Sequence, residues 1–362
     1  MAGQVKEESA RAMSKRKSRH GQEQSQAPGQ QTGRSDVGSG SDERPGRRPI
    51  VLPDREGGDD RVRPFALERA PVRGRIVRLG PVLDEILALH PYPVPLACQL
   101  GRLAALTAIL GSMVKAHGRV TIQARGGEEA PLAYMVADCQ VGEEEQAAGL
   151  RAFASLSHEH PLLAESGQED DLSAWVGQDG DLAITLEFAK TGRRYQGIVP
   201  VAGGDLARAA EHYFAQSEQI PTRIRLVADR HRPSRGWRAG GLLIQHMPES
   251  GGRAKERSAE DPDAWPRVQM LFETVRPDEL LDPALGDDAL VFRLFHEEGV
   301  RVFAPTTLVH RCSCSREKVQ SMLAQFSAQE REDMREDDGC ITVQCQYCGR
   351  RYRFAPDEIT AG

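Results

Sequence analysis

At 362 residues, with 39% hydrophobic content and a formal net charge of -6, the chain can build one sizeable core and a second small domain. It lacks the basic excess with which nucleic-acid binders release counterions. No stretch of about 18 consecutive apolar residues occurs and the N-terminus is polar, which argues against a membrane span or a secretory signal and makes the cytoplasm the expected location.

Residues 1–61 contain no Phe, Trp or Tyr and are rich in Gln, Ser, Gly, Arg and Asp, so they cannot bury enough apolar surface to offset ordering entropy. A disordered extension is expected there. Arg and Ser are frequent enough for a transit peptide, but Glu7, Glu8 and Glu23 count against one.

Residues 62–247 read as an α+β core domain. From Phe65 the chain becomes apolar through Ile76, Val77, Leu79, Val82, Ile86 and Leu87, and residues 96–114 carry Leu, Ala, Ile and Met at helical spacing. Strands are predicted at 120–123, 132–136, 182–186, 197–201, 223–228 and 240–247, with a helix after Asp205. Parallel βαβ alternation is absent from the pattern, so a mostly antiparallel sheet with packed helices is expected. Cys98 and Cys139 lie in apolar surroundings and should be buried.

Residues 248–304 read as a helical linker. Its start is rich in Gly and charge, after which Val268, Leu271, Phe272 and Val275 form one helical stripe and Val291, Leu294 and Phe295 a second. Such short amphipathic helices need a partner surface to be stable.

Residues 305–362 read as a small zinc-binding domain. Cys312-Ser-Cys314 and Cys345-Gln-Tyr-Cys348-Gly349 supply four thiolates, a complete tetrahedral set for one Zn²⁺. Between them, Ser315 is placed to cap a helix with an apolar face of Val319, Met322, Leu323 and Phe326. Ser327 and Glu330 form a capping-box pattern, and Asp338-Gly339 turns the chain into a strand. In that strand Cys340 falls on the face opposite Cys345 and should point away from the metal. His310 is a competing donor, but four cysteines already fill the site. His158-Glu-His160 lacks the spacing that sets two imidazoles on one helix face.

Spacing alone leaves a structural zinc ribbon open, in an enzyme or a nucleic-acid protein. Two features favour a redox role: acidic and basic residues are balanced in 305–362, and each cysteine half-pair is close enough to close a small disulfide. Metal-held thiolates are also the form that oxidants attack.

The chain resembles the redox-regulated heat-shock chaperones of the heat shock protein 33 family. The resemblance is carried by Cys312-Ser-Cys314-Ser-Arg-Glu, Asp338-Gly339, Ile341-Thr-Val-Gln-Cys345-Gln-Tyr-Cys348-Gly349 and Tyr352-Arg-Phe354. In the core it rests on Val72-Arg-Gly74-Arg, His90-Pro-Tyr-Pro93, Leu110-Gly-Ser-Met-Val-Lys115, Arg194-Tyr-Gln-Gly197, Glu211-His-Tyr-Phe214 and Ala239-Gly-Gly-Leu-Leu-Ile-Gln245. The resemblance implies a non-enzymatic holdase that works without ATP, zinc-bound and inactive when reduced. Oxidation would form Cys312–Cys314 and Cys345–Cys348 disulfides, release zinc and unfold the linker, and unfolding client proteins would then bind. It also suggests a homodimer when oxidised and gives no role to nucleic acid or membrane. The chain departs from the family in its N-terminal extension, its Gly- and charge-rich linker start, and the fifth cysteine, Cys340.

Overall fold

The computed structural model describes residues 58–114, 118–142, 147–157, 171–189, 191–230, 236–247, 261–355 and 358–359, all within the unit Leu52–Gly362. Residues 1–57 of the extension expected to be disordered, His158 and His160 therefore lie outside the described residues, as does most of the charged linker start; Arg61, expected to close the extension, opens the first strand.

The core is one curled sheet. Its strands are β1 (Arg61–Leu67), β2 (Val72–Leu79), β3 (Gly118–Arg125), β4 (Leu132–Gln140), β5 (Ala148–Leu156), β6 (Asp181–Phe188), β7 (Arg193–Pro200), β8 (Thr222–Arg230), β9 (Trp237–His246), β10 (Val300–Val302) and β11 (Thr306–His310). Their order is β7-β6-β3-β4-β5-β11-β1-β2-β9-β8, with β10 beside β1. Pairing is antiparallel except between β11 and β5, where Leu308, Val309 and His310 align with Ala148, Gly149 and Leu150. β11 thus joins the two halves of the sheet, and it ends two residues before Cys312.

The predicted strands are all present, and β1, β2, β5, β10 and β11 are additional, β10 falling in the span expected to be a helical linker. Helix α1 (Pro81–Leu87) follows β2, and α2 (Val94–Gly111) runs across one face of the sheet. Of the described helices, α2 alone has the length and hydropathy of a membrane span, and 89% of it is buried inside the fold. Leu96, Leu100, Leu103, Leu106 and Ile109 of α2 meet Ile122, Met135, Leu150 and Leu243 from the strands. Cys98 and Cys139 are buried in this core, and burial pushes the Cys139 thiol up to about 12. Short α3 (Ser173–Val176) and α4 (Leu206–Tyr213) complete the layer. The Asp205 carboxylate accepts the Ala207 N–H at 2.8 Å, satisfying an otherwise orphan donor at the start of α4.

The linker stripes find their partner on the opposite face of β1, β2 and β9. Helices α5 (Ala264–Glu273), α6 (Pro277–Leu281) and α7 (Asp287–Phe295) bury Val268, Phe272, Leu280, Leu290, Val291 and Phe295 against Phe65, Ile76, Leu242 and Ile244. A Cβ on Gly240 would stand 2.7 Å from the Leu280 carbonyl oxygen, so a glycine there lets α6 sit directly on β9. A buried charge fixes the register. Arg78 and Asp287 are 2% and 1% exposed and approach to 3.3 Å, while Arg61 donates to Asp287 at 2.7 Å. The other Arg78 donors reach the carbonyls of Glu279 (2.9 Å), Asp282 (2.8 Å) and Leu285. Burial pulls the Arg78 pKa down, and Asp287 opposes that shift.

After β11 come α8 (Arg316–Leu323), α9 (Ala328–Asp333) and the hairpin β12 (Ile341–Gln344) and β13 (Arg351–Phe354). Both predicted caps form: Ser315 Oγ accepts from the Lys318 N–H at 3.3 Å, and Ser327 and Glu330 make a reciprocal capping box. Gly339 has φ +78°, in the left-handed region that the turn into β12 requires. Leu323 is buried and Val319 packs beside it, but Met322 is 43% exposed, contrary to its expected place on the apolar face. Among the described residues the module buries Leu323, Ile341, Tyr352, Phe354 and Ile359, a core too narrow to cover a full helical stripe.

Candidate metal centre and its seat on the core

Two loops of the C-terminal module bring the four predicted cysteines together. The first leaves β11 and presents Cys312 and Cys314 before α8. The second is the turn between β12 and β13, closed by Gly349 N–H to Cys345 O at 2.8 Å and Cys345 N–H to Arg350 O at 2.9 Å. Gly349 has φ +66°, which lets the chain reverse under Cys348.

The Sγ atoms of Cys312, Cys314, Cys345 and Cys348 all lie within 4.8 Å of one another. The Cys312–Cys345 and Cys314–Cys348 pairs stand at 3.6 and 3.3 Å. A tetrahedron with Zn–S bonds of about 2.3 Å has sulfur–sulfur edges of about 3.8 Å, whereas a disulfide needs about 2.05 Å. The cluster therefore has the dimensions of a metal cage of free thiols, and the four cysteines are positioned to hold a metal ion. Cys340 is not one of the set, and neither is His310, whose Nδ1 lies 3.4 Å from Glu85.

The electrostatics are uneven. Burial works to raise the Cys312 pKa, but hydrogen bonds from the Cys314 N–H and from Arg151 bring it down to about 7. Burial raises Cys345, and burial together with the neighbouring sulfurs pushes Cys348 up to about 12. Cys312 therefore ionises more readily than Cys345 and Cys348, and a bound dication would favour the thiolate form of its ligands. Tyr352 Oη donates to Cys314 Sγ at 3.1 Å, tying the cage to the module's small core.

Core side chains that carry no metal-ligand pattern in the sequence hold the two cysteine loops in place. Arg151 of β5 donates to Cys312 Sγ at 3.5 Å, and its guanidinium lies 4.1 Å from the centre of the Tyr347 ring. Asp138 of β4 fixes that guanidinium with contacts of 2.8 and 2.6 Å. His90 Nε2 donates to the Gln346 carbonyl at 2.6 Å, and Tyr134 Oη donates to Gln346 Oε1 at 3.1 Å. The Phe153 and Tyr347 rings stand 6.4 Å apart. The one sequence signal for this seat is the His90-Pro-Tyr-Pro93 motif, which by itself names no contact.

Fold and site together define an α+β protein carrying an appended four-cysteine metal module. The chain belongs to the Hsp33 family, whose model, described as Hsp33 protein, matches residues 60–355. It is 41% identical over 308 residues to the 33 kDa chaperonin of Caulobacter vibrioides, covering 84% of this chain and 98% of that one. To the 33 kDa chaperonin of Pseudomonas paraeruginosa it is 36% identical over 301 residues, covering 83% and 93%. The crystal structure of the 33 kDa chaperonin (heat shock protein 33 homolog) from Thermotoga maritima shares the fold. Its TM-score is 0.66 at 23% identity, over 83% of this chain and 96% of that one.

Proposed function

We propose that this chain is a redox-regulated holdase chaperone, an ATP-independent binding protein and not an enzyme, that captures unfolding proteins in the cytoplasm after oxidation. The observation that carries the reading is the four-thiol cage, seated through Arg151 beside a linker folded over the same sheet. In the reduced state Cys312, Cys314, Cys345 and Cys348 would hold one Zn²⁺, which supplies the positive charge that keeps four adjacent sulfurs ionised.

Oxidation would join Cys312 to Cys314 and Cys345 to Cys348. With hydrogen peroxide, each pair of thiolates gives up two electrons to form one S–S bond; the peroxide O–O bond breaks and, with two protons, yields two waters. All four donors are then lost and nothing remains to hold the ion. The shortest sulfur approaches cross between the loops, so the pairing rests on the family resemblance and on the C-x-C and C-x-x-C spacing.

Opening would spread through short segments. The module's core of five buried side chains is too small to persist without the metal. β11, two residues upstream, pairs with β5 over three positions and with β1 over two. Loosening it would free β10 and α7, exposing the linker faces and the Phe65, Ile76 and Leu242 surface beneath them for clients, with dimerisation as a further step. The test is aggregation of a heat-unfolded client with reduced, zinc-loaded protein and with peroxide-treated protein. Protection by the oxidised form alone is expected; equal protection by both would defeat the reading.

A further inference from the structure

The face of β4 and β5 under the second cysteine loop is a built receptor, distinct from the surface under the linker. α2 covers the other face of these strands, where a Cβ on its Gly111 would meet Cys139 Sγ. On the face away from α2, Asp138 is in register with Arg151 and Val136 with Phe153. Phe153 is buried, with the His90 ring 5.0 Å away edge-on and the Tyr134 ring at 6.1 Å. Tyr92 Oη ties the turn carrying His90 to β5, accepting the Ala154 N–H at 3.0 Å. Asp138 holds Arg151, and the His90, Tyr92, Tyr134 and Phe153 rings pack on one another, so the frame of the receptor is built within the core and departure of the loop frees the His90 Nε2 and Tyr134 hydroxyl donors.

What occupies it is chemically generic. Tyr347 offers an aromatic ring to a cation and to another ring, and its neighbour offers a backbone carbonyl to His90. Any extended chain with one aromatic residue can make the same contacts; only the Tyr134 bond to the Gln346 side chain is particular. We propose that His90, Tyr134, Arg151 and Phe153 form a client-binding subsite for an aromatic residue in an extended polypeptide, and that Tyr347 fills it in the reduced state. The occupant is a segment of an unfolding client, so this inference rests on the chaperone reading. Closing a Cys345–Cys348 disulfide would reshape the turn that presents Tyr347 and vacate the subsite.

The test uses two fluorescein-labelled peptides of about a dozen residues in a Gly/Ser/Gln background, one with a central tyrosine and one with alanine there. Fluorescence anisotropy is read with full-length protein. An aromatic contact with one cation–π partner predicts about tenfold tighter binding of the tyrosine peptide by the oxidised protein. His90→Ala and, separately, Phe153→Ala, each verified as folded by its thermal transition, should reduce that preference to near unity. Tyr347→Ala, reduced and verified to hold one zinc, should bind the tyrosine peptide where reduced wild type does not. Equal binding of the two peptides by oxidised wild type overturns the subsite, and so does a zinc-loaded Tyr347→Ala that stays closed to the tyrosine peptide. If oxidised protein still suppresses client aggregation in that case, the chaperone reading stands without the subsite; if it suppresses none, both fall.

Discussion

Replacing Asp287 by Ala should unlatch the linker without touching a cysteine. Asp287 lies on α7 and Arg78 on β2, and both are almost fully buried. The Asp287 carboxylate lies 3.3 Å from Arg78 Nε and is shared with Arg61, while the remaining Arg78 donors go to linker carbonyls. Removing one member of a buried ion pair costs roughly 3–5 kcal/mol, because the other charge stays uncompensated. The surviving carbonyl contacts place the effect near the lower end, at about 3 kcal/mol. The cost falls only on the docked state, since undocking returns Arg78 to water. The docked-to-undocked ratio should therefore drop about 150-fold. Hydrogen exchange on reduced, zinc-loaded protein should show that loss of protection in peptides covering 277–295 and little change in 341–354. The same variant should suppress client aggregation without peroxide. Unchanged exchange in the linker would refute the claim that this pair holds it down.

Gly240→Val should act in the same direction by steric means, because its side chain collides with the Leu280 carbonyl; faster exchange in α6 with intact zinc content is the expected result. Metal analysis of the reduced protein should give one equivalent of zinc, and well below one would contradict the cage. Cys345 and Cys348 are held above the ordinary thiol range and so are protonated at neutral pH, and each must lose its proton to bind. Apparent zinc affinity should then fall at least about 100-fold for each unit of acidification between pH 8 and 7, with two or more protons released per ion in an indicator-dye assay. Cys340→Ser should leave zinc content and peroxide activation unchanged, and mass-spectrometric mapping of the oxidised protein should find Cys312–Cys314 and Cys345–Cys348 with Cys340 in neither.

Local chemistry was legible in the sequence. The C-x-C and C-x-x-C-G pairs, the caps at Asp205, Ser315 and Ser327, the turn at Gly339 and the two linker stripes are all specified within a few residues, and they took the form their spacing demanded. The exception, Met322, shows the limit of periodicity: a stripe states which face is apolar but not how much partner surface exists to cover it.

What only the tertiary structure decided were pairings between distant residues that leave no local trace. Arg78 and Asp287 are 209 positions apart in the sequence and read singly as surface charges, yet the fold buries them together. Arg151 and Phe153 of β5, Tyr134 of β4 and His90 of the turn after α1 converge only because the fold brings that turn against the two paired strands. The placement of β11 between β5 and β1 likewise depends on open backbone donors and acceptors on two strands, which no run of side chains advertises. The sequence determined which thiols can hold a metal; the folded chain decided what that metal module is fastened to.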